Sequence, residues 1–264
     1  ALGIKGAAIG TLIARIAEFC VLTVYALWID KRLCFRIRDL LTGNKTLLRD
    51  FLHYSLPVAL NELMWALGTS IQAMIFGRIG ETAVAANSIA GVVQQLATIT
   101  IFGIANAAAV MVGKSVGAGD IHRTKQSAFT LTMVSIVIGL CSATLIFLVR
   151  NTVVDFYNVS AEAKELAREM LVVTAIIVFF ISLSALFIVG VLRGAGDSRF
   201  NLAVDISTLW LISVPLGIVA GLLLKLPVPL VYLFFKLDEP AKVICCLFRF
   251  KSGRWIKNVT REEV

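Results

Sequence analysis

Charge is scarce in this sequence. Asp, Glu, Lys and Arg make up 16% of it, where soluble domains average about 25%. That shortage excludes an ordinary soluble surface. Histidine is confined to His53 and His122. No GxSxG, HExxH or paired catalytic Asp pattern occurs, so the chain offers no support for an enzyme. The five cysteines, Cys20, Cys34, Cys141, Cys245 and Cys246, show no CxxC or metal-type spacing. Three of them sit in apolar runs, where Cys packs as a small hydrophobe. No metal and no resident cofactor is expected. A signal-peptide n-region is missing, and the chain starts at Ala1 without Met, as an internal fragment would. What is abundant is apolar surface. Hydrophobic residues make up 58% of 264 residues, and the mean hydropathy is +0.88. The class this implies is an all-α, polytopic integral membrane protein.

A bilayer core needs about 20 mostly apolar residues per helix. Runs of that length occupy 6–29, 51–76, 83–112, 127–149, 166–192 and 202–224. A seventh run, 227–247, is weaker, because Lys236, Asp238, Glu239, Pro240 and Lys242 interrupt it. Pro240 suits a first helical turn, and Asp238 or Glu239 could cap a new helix there. A break at that place is therefore an option, although a complete span is expected. Segment 31–50 is basic and too long for a tight turn. Leu47, Leu48, Phe51 and Leu52 have the spacing of an amphipathic helix lying in the interface. It is read as a linker that separates the first helix, 1–30, from the remaining six, 51–264.

The net charge of +8 has a topological explanation. Lys31, Arg32, Arg36, Arg38, Lys45 and Arg49 lie in the first connection. Lys114, Arg123 and Lys125 follow the third run, and Arg193 and Arg199 follow the fifth. Arg249, Lys251, Arg254, Lys257 and Arg261 lie in the tail. The opposite set of connections holds only Lys5, Arg78, Arg150, Lys164, Arg168 and Lys225. The positive-inside rule places the first set, and the C-terminus, in the cytoplasm. No nucleic-acid partner is needed; the bilayer is the partner. Two of these connections share a word: Gly117-Ala118-Gly119-Asp120 and Gly194-Ala195-Gly196-Asp197. Gly ends a helix with φ > 0, and Asp caps the next. The recurrence suggests an internal repeat of helix hairpins, as in many transporters.

Polar residues inside the runs mark where function is to be sought, because polarity there is expensive. In the second run Ser55, Glu62, Trp65, Thr69 and Gln72 fall on one helical face, with Asn61 beside them. Pro57 lies five residues before Glu62 and is expected to bend the helix. In the third run Asn87, Gly91, Gln94 and Thr98 share a face. In the sixth, Asn201, Asp205, Thr208 and Pro215 do. These stripes imply a common polar cavity. Glu62 suits a reversible proton or cation site at mid-depth, where burial would raise its pKa, or a structural hydrogen bond to a neighbouring helix. Asp205 is either a helix-start acid favoured by the dipole or a second coupling group. Arg15 and Glu18, three apart, are expected to form a structural ion pair. Trp65 and Phe102 are aromatics on which an organic cation could stack.

With these residues in view, the chain resembles the multidrug and toxic compound extrusion (MATE) family, within the larger group that includes lipid-linked oligosaccharide flippases. The strings that carry the resemblance are LPVALNELMWALG (56–68), GRIGETAVAANSIA (77–90), VGKSVGAGD (112–120), LRGAGDSRFN (192–201) and VDISTLWLISVPLG (204–217). The tail segment 238–260 also matches, and IKGAAIGTLIARIAEF (4–19) is similar to the last helix of the family's first lobe. The resemblance implies twelve helices in two six-helix lobes, with this chain supplying the second lobe and the last helix of the first. The missing first lobe is then its partner. It implies multidrug efflux of organic cations or amphipathic drugs in exchange for H⁺ or Na⁺, in the cell membrane. Glu62 falls in the helix that bears a family coupling glutamate, offset by about one turn of helix. The family's other coupling acids have no counterpart here. The family Asp-Glu-Lys pattern of the last helix is matched by Asp238, Glu239 and Lys242, with Pro240 as a departure. A flippase of the same superfamily would be expected to line its cavity with several cations for pyrophosphate. A seven-helix receptor is a further alternative, against which the abrupt start counts.

Overall fold

The computed structural model describes residues 3–25, 45–253 and 255–256. It divides into two units, Ala1–His53 and Tyr54–Val264. In the first unit, α1 (Gly3–Val24) is the apolar run expected from residue 6. Its Arg15 Nη1 lies 2.7 Å from Glu18 Oε2, with both side chains exposed. The pair therefore forms as the spacing implied, as an i,i+3 contact. Most of the expected linker, 31–44, falls outside the described residues, as does Cys34. Of the expected linker, residues 45–50 are described, and they are helical. Helix α2 runs from Lys45 to Ile79 without interruption. Residues 45–52 are thus its opening turns and not a separate interfacial helix, and the helix continues through Pro57. It enters the second unit at Tyr54.

The second unit adds α3 (Glu81–Gly117), α4 (Ile121–Asp155), α5 (Ala161–Leu192), α6 (Ser198–Leu223), α7 (Val228–Phe235) and α8 (Asp238–Lys251). Among the described residues every regular element is helical. Helices α3 to α6 are each long and apolar enough to cross a membrane. Helix α5 is the hub and packs against α3, α4, α7 and α8. From Met170 onward its sequence is largely apolar all round, the mark of a helix enclosed by others. Ala167, Met170, Leu171, Val178, Leu186 and Val191 are all buried. Small residues let the neighbours approach, as is usual where helices meet in lipid. A side chain at Gly194 would place its Cβ 2.7 Å from the Ala109 carbonyl of α3. Ser182 of α5 donates to the Ser135 carbonyl of α4 at 2.8 Å.

The repeated word builds the same turn twice. Gly119 and Gly196 have φ of 72° and 81°. Asp120 N–H reaches the Ser115 carbonyl and Asp197 N–H the Leu192 carbonyl, five residues back in each case. Gly119 and Gly196 each bond three residues back, completing a Schellman cap. The first glycines, Gly117 and Gly194, have no positive φ. Asp120 caps α4 through Arg123 N–H, as expected. Asp197 does not cap α6; its carboxylate goes elsewhere, as described below.

Three irregularities shape the walls around the site. Helix α5 ends in π winding over Leu186–Leu192, and Arg193 N–H bonds the Ile188 carbonyl five residues back. Helix α6 has π turns at Leu209–Ser213 and Val219–Leu223, flanking Pro215, which lacks the N–H that regular winding requires. The seventh run is broken. Helices α7 and α8 are separate, and Lys236 and Leu237 turn the chain between them. The expected unbroken span is therefore corrected. Pro240 sits in the first turn of α8, as its missing N–H favours. Asp238 and Glu239 also lie in that turn, but neither caps it; Leu237 occupies the cap position. The ring of Phe235, the last residue of α7, packs against Gly217, where any side chain would meet it.

Candidate functional site

A cavity of about 770 Å³ opens between α2, α3, α5, α6 and α8. Glu62, Trp65, Thr69 and Gln72 of α2 line it, together with Asn61 and Gly68. The α2 stripe is thus a cavity face, apart from Ser55, which is not among the lining residues. Helix α3 contributes Gly91, Gln94, Thr98 and Phe102. Asn87, expected in the same wall, lines a smaller adjoining pocket of about 160 Å³, with Gln94, Tyr232 and Lys236. Tyr232 donates to Gln94 Oε1 at 3.1 Å, and its hydroxyl lies 3.2 Å from that of Thr174. This chain of hydrogen bonds fixes the amide that faces the cavity. Of the sixth-run stripe only Asp205 faces the cavity. Asn201 and Thr208 are buried in the packing.

Two charge groups sit in this wall. At one, Glu62 Oε1 lies 3.6 Å from Arg193 Nη2, and the Glu62 side chain is 63% exposed. Among the described residues Glu62 thus has a partner on a neighbouring helix and one open side. It faces a guanidinium and open space. Arg193, read from the sequence as a loop charge, belongs to the cavity because the π winding before it turns it inward.

At the other, Lys242 of α8 is 4% exposed. Its Nζ lies 3.0 Å from Asp205 Oδ1, 2.8 Å from Asp238 Oδ2 and 3.2 Å from Glu239 Oε1. Asp238 and Glu239 precede Lys242 by four and three residues, so one helical face presents all three. Asp205 arrives from α6. It is the eighth residue of a helix that starts at Ser198, so it is not a helix-start acid. Its second oxygen accepts from Asn61 Nδ2 at 2.7 Å. The Ser184 hydroxyl donates to the other oxygen of Glu239. Every carboxylate in the group but Asp238 thus has a donor besides the ammonium. Asn61, expected as a cavity residue, turns out to be the clamp that orients Asp205.

The sequence reading missed Lys242 as a site residue, along with Arg193, Ser184, Lys236 and Tyr232. The i, i+3, i+4 spacing of Asp238, Glu239 and Lys242 was a signal, masked by its overlap with the helix break. Asp197 was expected as a cap. It is fully buried instead, with Arg249 Nε at 2.9 Å and Nη2 at 2.8 Å from Oδ2. That pair ties the start of α6 to the last turn of α8. Of the four described cysteines, Cys246 is buried as a packing residue, whereas Cys20, Cys141 and Cys245 are exposed. For those three, packing inside the described chain is corrected.

A family model described as MatE matches residues 57–219. The probable multidrug resistance protein NorM of Xylella fastidiosa is 28% identical over 227 residues, which cover 84% of this chain and 48% of that protein. The multidrug and toxin extrusion protein 2 of Homo sapiens is 25% identical over 85% of this chain and 37% of its own. Among solved structures, the Vibrio cholerae MATE transporter VcmN in the bent form has a TM-score of 0.75 at 17% identity, covering 96% of this chain and 56% of that one. The chain spans about half the length of the curated relatives it matches.

Proposed function

This chain belongs to the MatE family, and from that premise we propose that it is the second lobe, with the last helix of the first, of a twelve-helix secondary transporter. The transporter exports amphipathic or cationic drugs in exchange for H⁺ or Na⁺. The observation that carries this reading is the cavity wall. It combines four carboxylates, Glu62, Asp205, Asp238 and Glu239, with the aromatic rings of Trp65, Phe102 and Phe235. Rings and acids together suit a lipophilic cation. A carboxylate that holds either the cargo or a coupling ion, but not both, links the two fluxes. Glu62 and Asp205 are the coupling candidates, because both carboxylates face the cavity and belong to different helices. The relatives' names, which describe multidrug resistance and extrusion, support the cargo class. The span of about half their length supports the two-lobe reading. The basic connections support a cytoplasmic C-terminus in the cell membrane. Arg193 and Lys242 add cations to the wall, but each is engaged by acids. That leaves a poor cradle for a pyrophosphate and disfavours the flippase reading.

The test joins this chain to any coding sequence upstream of it and expresses the product in efflux-deficient cells. Glu62→Gln and Asp205→Asn are each expected to lower resistance to cationic dyes by about tenfold, the scale of one lost charge contact of about 1.4 kcal/mol. Dye export equal to wild type in both variants overturns the coupling roles. Vesicles loaded with either a pH or a Na⁺ gradient identify the ion. An upstream region without five further spans overturns the two-lobe reading.

A further inference from the structure

The coupling role proposed for Glu62 and Asp205 leaves Lys242 without a task. Its position is specific. A lysine ammonium has three N–H donors, and three carboxylate oxygens stand at 2.8, 3.0 and 3.2 Å from Nζ. Two of the three acids are on its own helix and within reach by helical spacing alone. The contact with Asp205 is different, because it crosses from α8 to α6. It can be broken while Asp238 and Glu239 keep the ammonium paired. Asp205 also faces the cavity, and Asn61 holds its other oxygen. An organic cation that enters the cavity therefore meets, at Asp205 Oδ1, an ammonium already in place. Three carboxylates against one ammonium leave the group with a formal charge of −2. The group still attracts a further cation, and nearly all of its surface is withdrawn from water. The other charged groups of the wall are Glu62 with Arg193, and Lys236, whose Nζ lies 5.4 Å from the Tyr232 ring centre.

We infer that Lys242 is a tethered resident cation of the cargo site. It occupies Asp205 when the cavity is empty, yields that oxygen to a lipophilic monovalent cation and withdraws onto Asp238 and Glu239. Its return competes with the cargo and favours release. No bond is made or broken in the exchange; one ammonium replaces another cation at one carboxylate. This inference rests on the efflux reading above.

The experiment measures binding of tetraphenylphosphonium, by isothermal titration in lipid nanodiscs, to this chain joined to the coding sequence upstream of it. Four proteins are compared: wild type, Lys242→Gln, Asp238→Asn and the double variant Lys242→Gln/Asp238→Asn. The double variant keeps the formal charge of −2 but has no ammonium. If Lys242 acts only through its charge, the double variant binds as wild type does. If Lys242 occupies the site, the double variant binds tighter by about fivefold or more, and Asp238→Asn alone binds more weakly than wild type. Lys242→Gln alone is expected to bind tightest. Should it not fold, as judged by size-exclusion in detergent, the double variant decides. Equal or weaker binding by the double variant overturns the inference while leaving the efflux reading intact. Saturable binding by none of the four overturns the efflux reading itself.

Discussion

Glu62 meets Arg193 at 3.6 Å with its side chain 63% exposed. Lys242 meets Asp205 at 3.0 Å with its side chain 4% exposed. Both pairs join helices across one cavity wall, and both pair an acid with a base. Their surroundings make them different objects. The outer pair is open on its cavity side, where water and salt would screen it, so either partner can be removed at little cost to the fold. The inner pair sits with two further acids in a place water hardly reaches. Removing its base leaves like charges side by side with nothing to offset them. The outer pair can separate without leaving either charge buried. The inner group cannot lose a cation without taking up another.

The contrast is broken or sharpened by measuring stability in detergent. Lys242→Ala is expected to have the largest effect, a loss of about 3–5 kcal/mol of unfolding free energy. A loss below about 1 kcal/mol, the range of exposed pairs, would show that the inner group is not buried as a charge cluster. Asn61→Ala comes next. It removes the donor from Asp205 Oδ2 and is expected to cost about 1.5–3 kcal/mol, the range for hydrogen bonds to charged groups. Arg193→Ala is expected to cost no more than about 1 kcal/mol. Smallest of all is the response to salt. Raising NaCl from 0.1 to 1 M shortens the screening length from about 10 to 3 Å. That should shrink the measured cost of Arg193→Ala and leave the cost of Lys242→Ala nearly unchanged. Equal salt sensitivity of the two would erase the distinction between the pairs.

The parts of this site that were legible in the sequence are those governed by helical spacing alone. Glu62, Trp65, Thr69 and Gln72 recur at three and four residues, and they share a face because every α-helix arranges them so. The hairpin words were legible for the same reason, since a Schellman cap is a local structure. Side-chain destinations were not. Asp120 and Asp197 occupy the same place in the same word, yet one caps a helix and the other is buried against Arg249. Only the packing of α6 against α8 distinguishes them. Arg193 looked like a loop charge because nothing in LFIVGVL announces π winding. Asp205 stayed ambiguous until the start of α6 at Ser198 set its depth. Lys242 was visible in the Asp-Glu-Lys pattern but had no assigned place in the cavity, because the charges that build the inner group are the same charges that made its helix look interrupted.

The π winding at the end of α5 makes Arg193 a register-dependent residue. Over Leu186–Leu192 the backbone holds one residue more than regular winding would need. Rewinding that stretch to α geometry would turn everything after it by on the order of 100° about the helix axis. Arg193 would swing off Glu62, and the Gly194 turn beyond it would have to move away from Ala109. The two ends of one seven-residue stretch thus act like the plates of a clutch. A change of winding on one side is felt as a change of grip on the other.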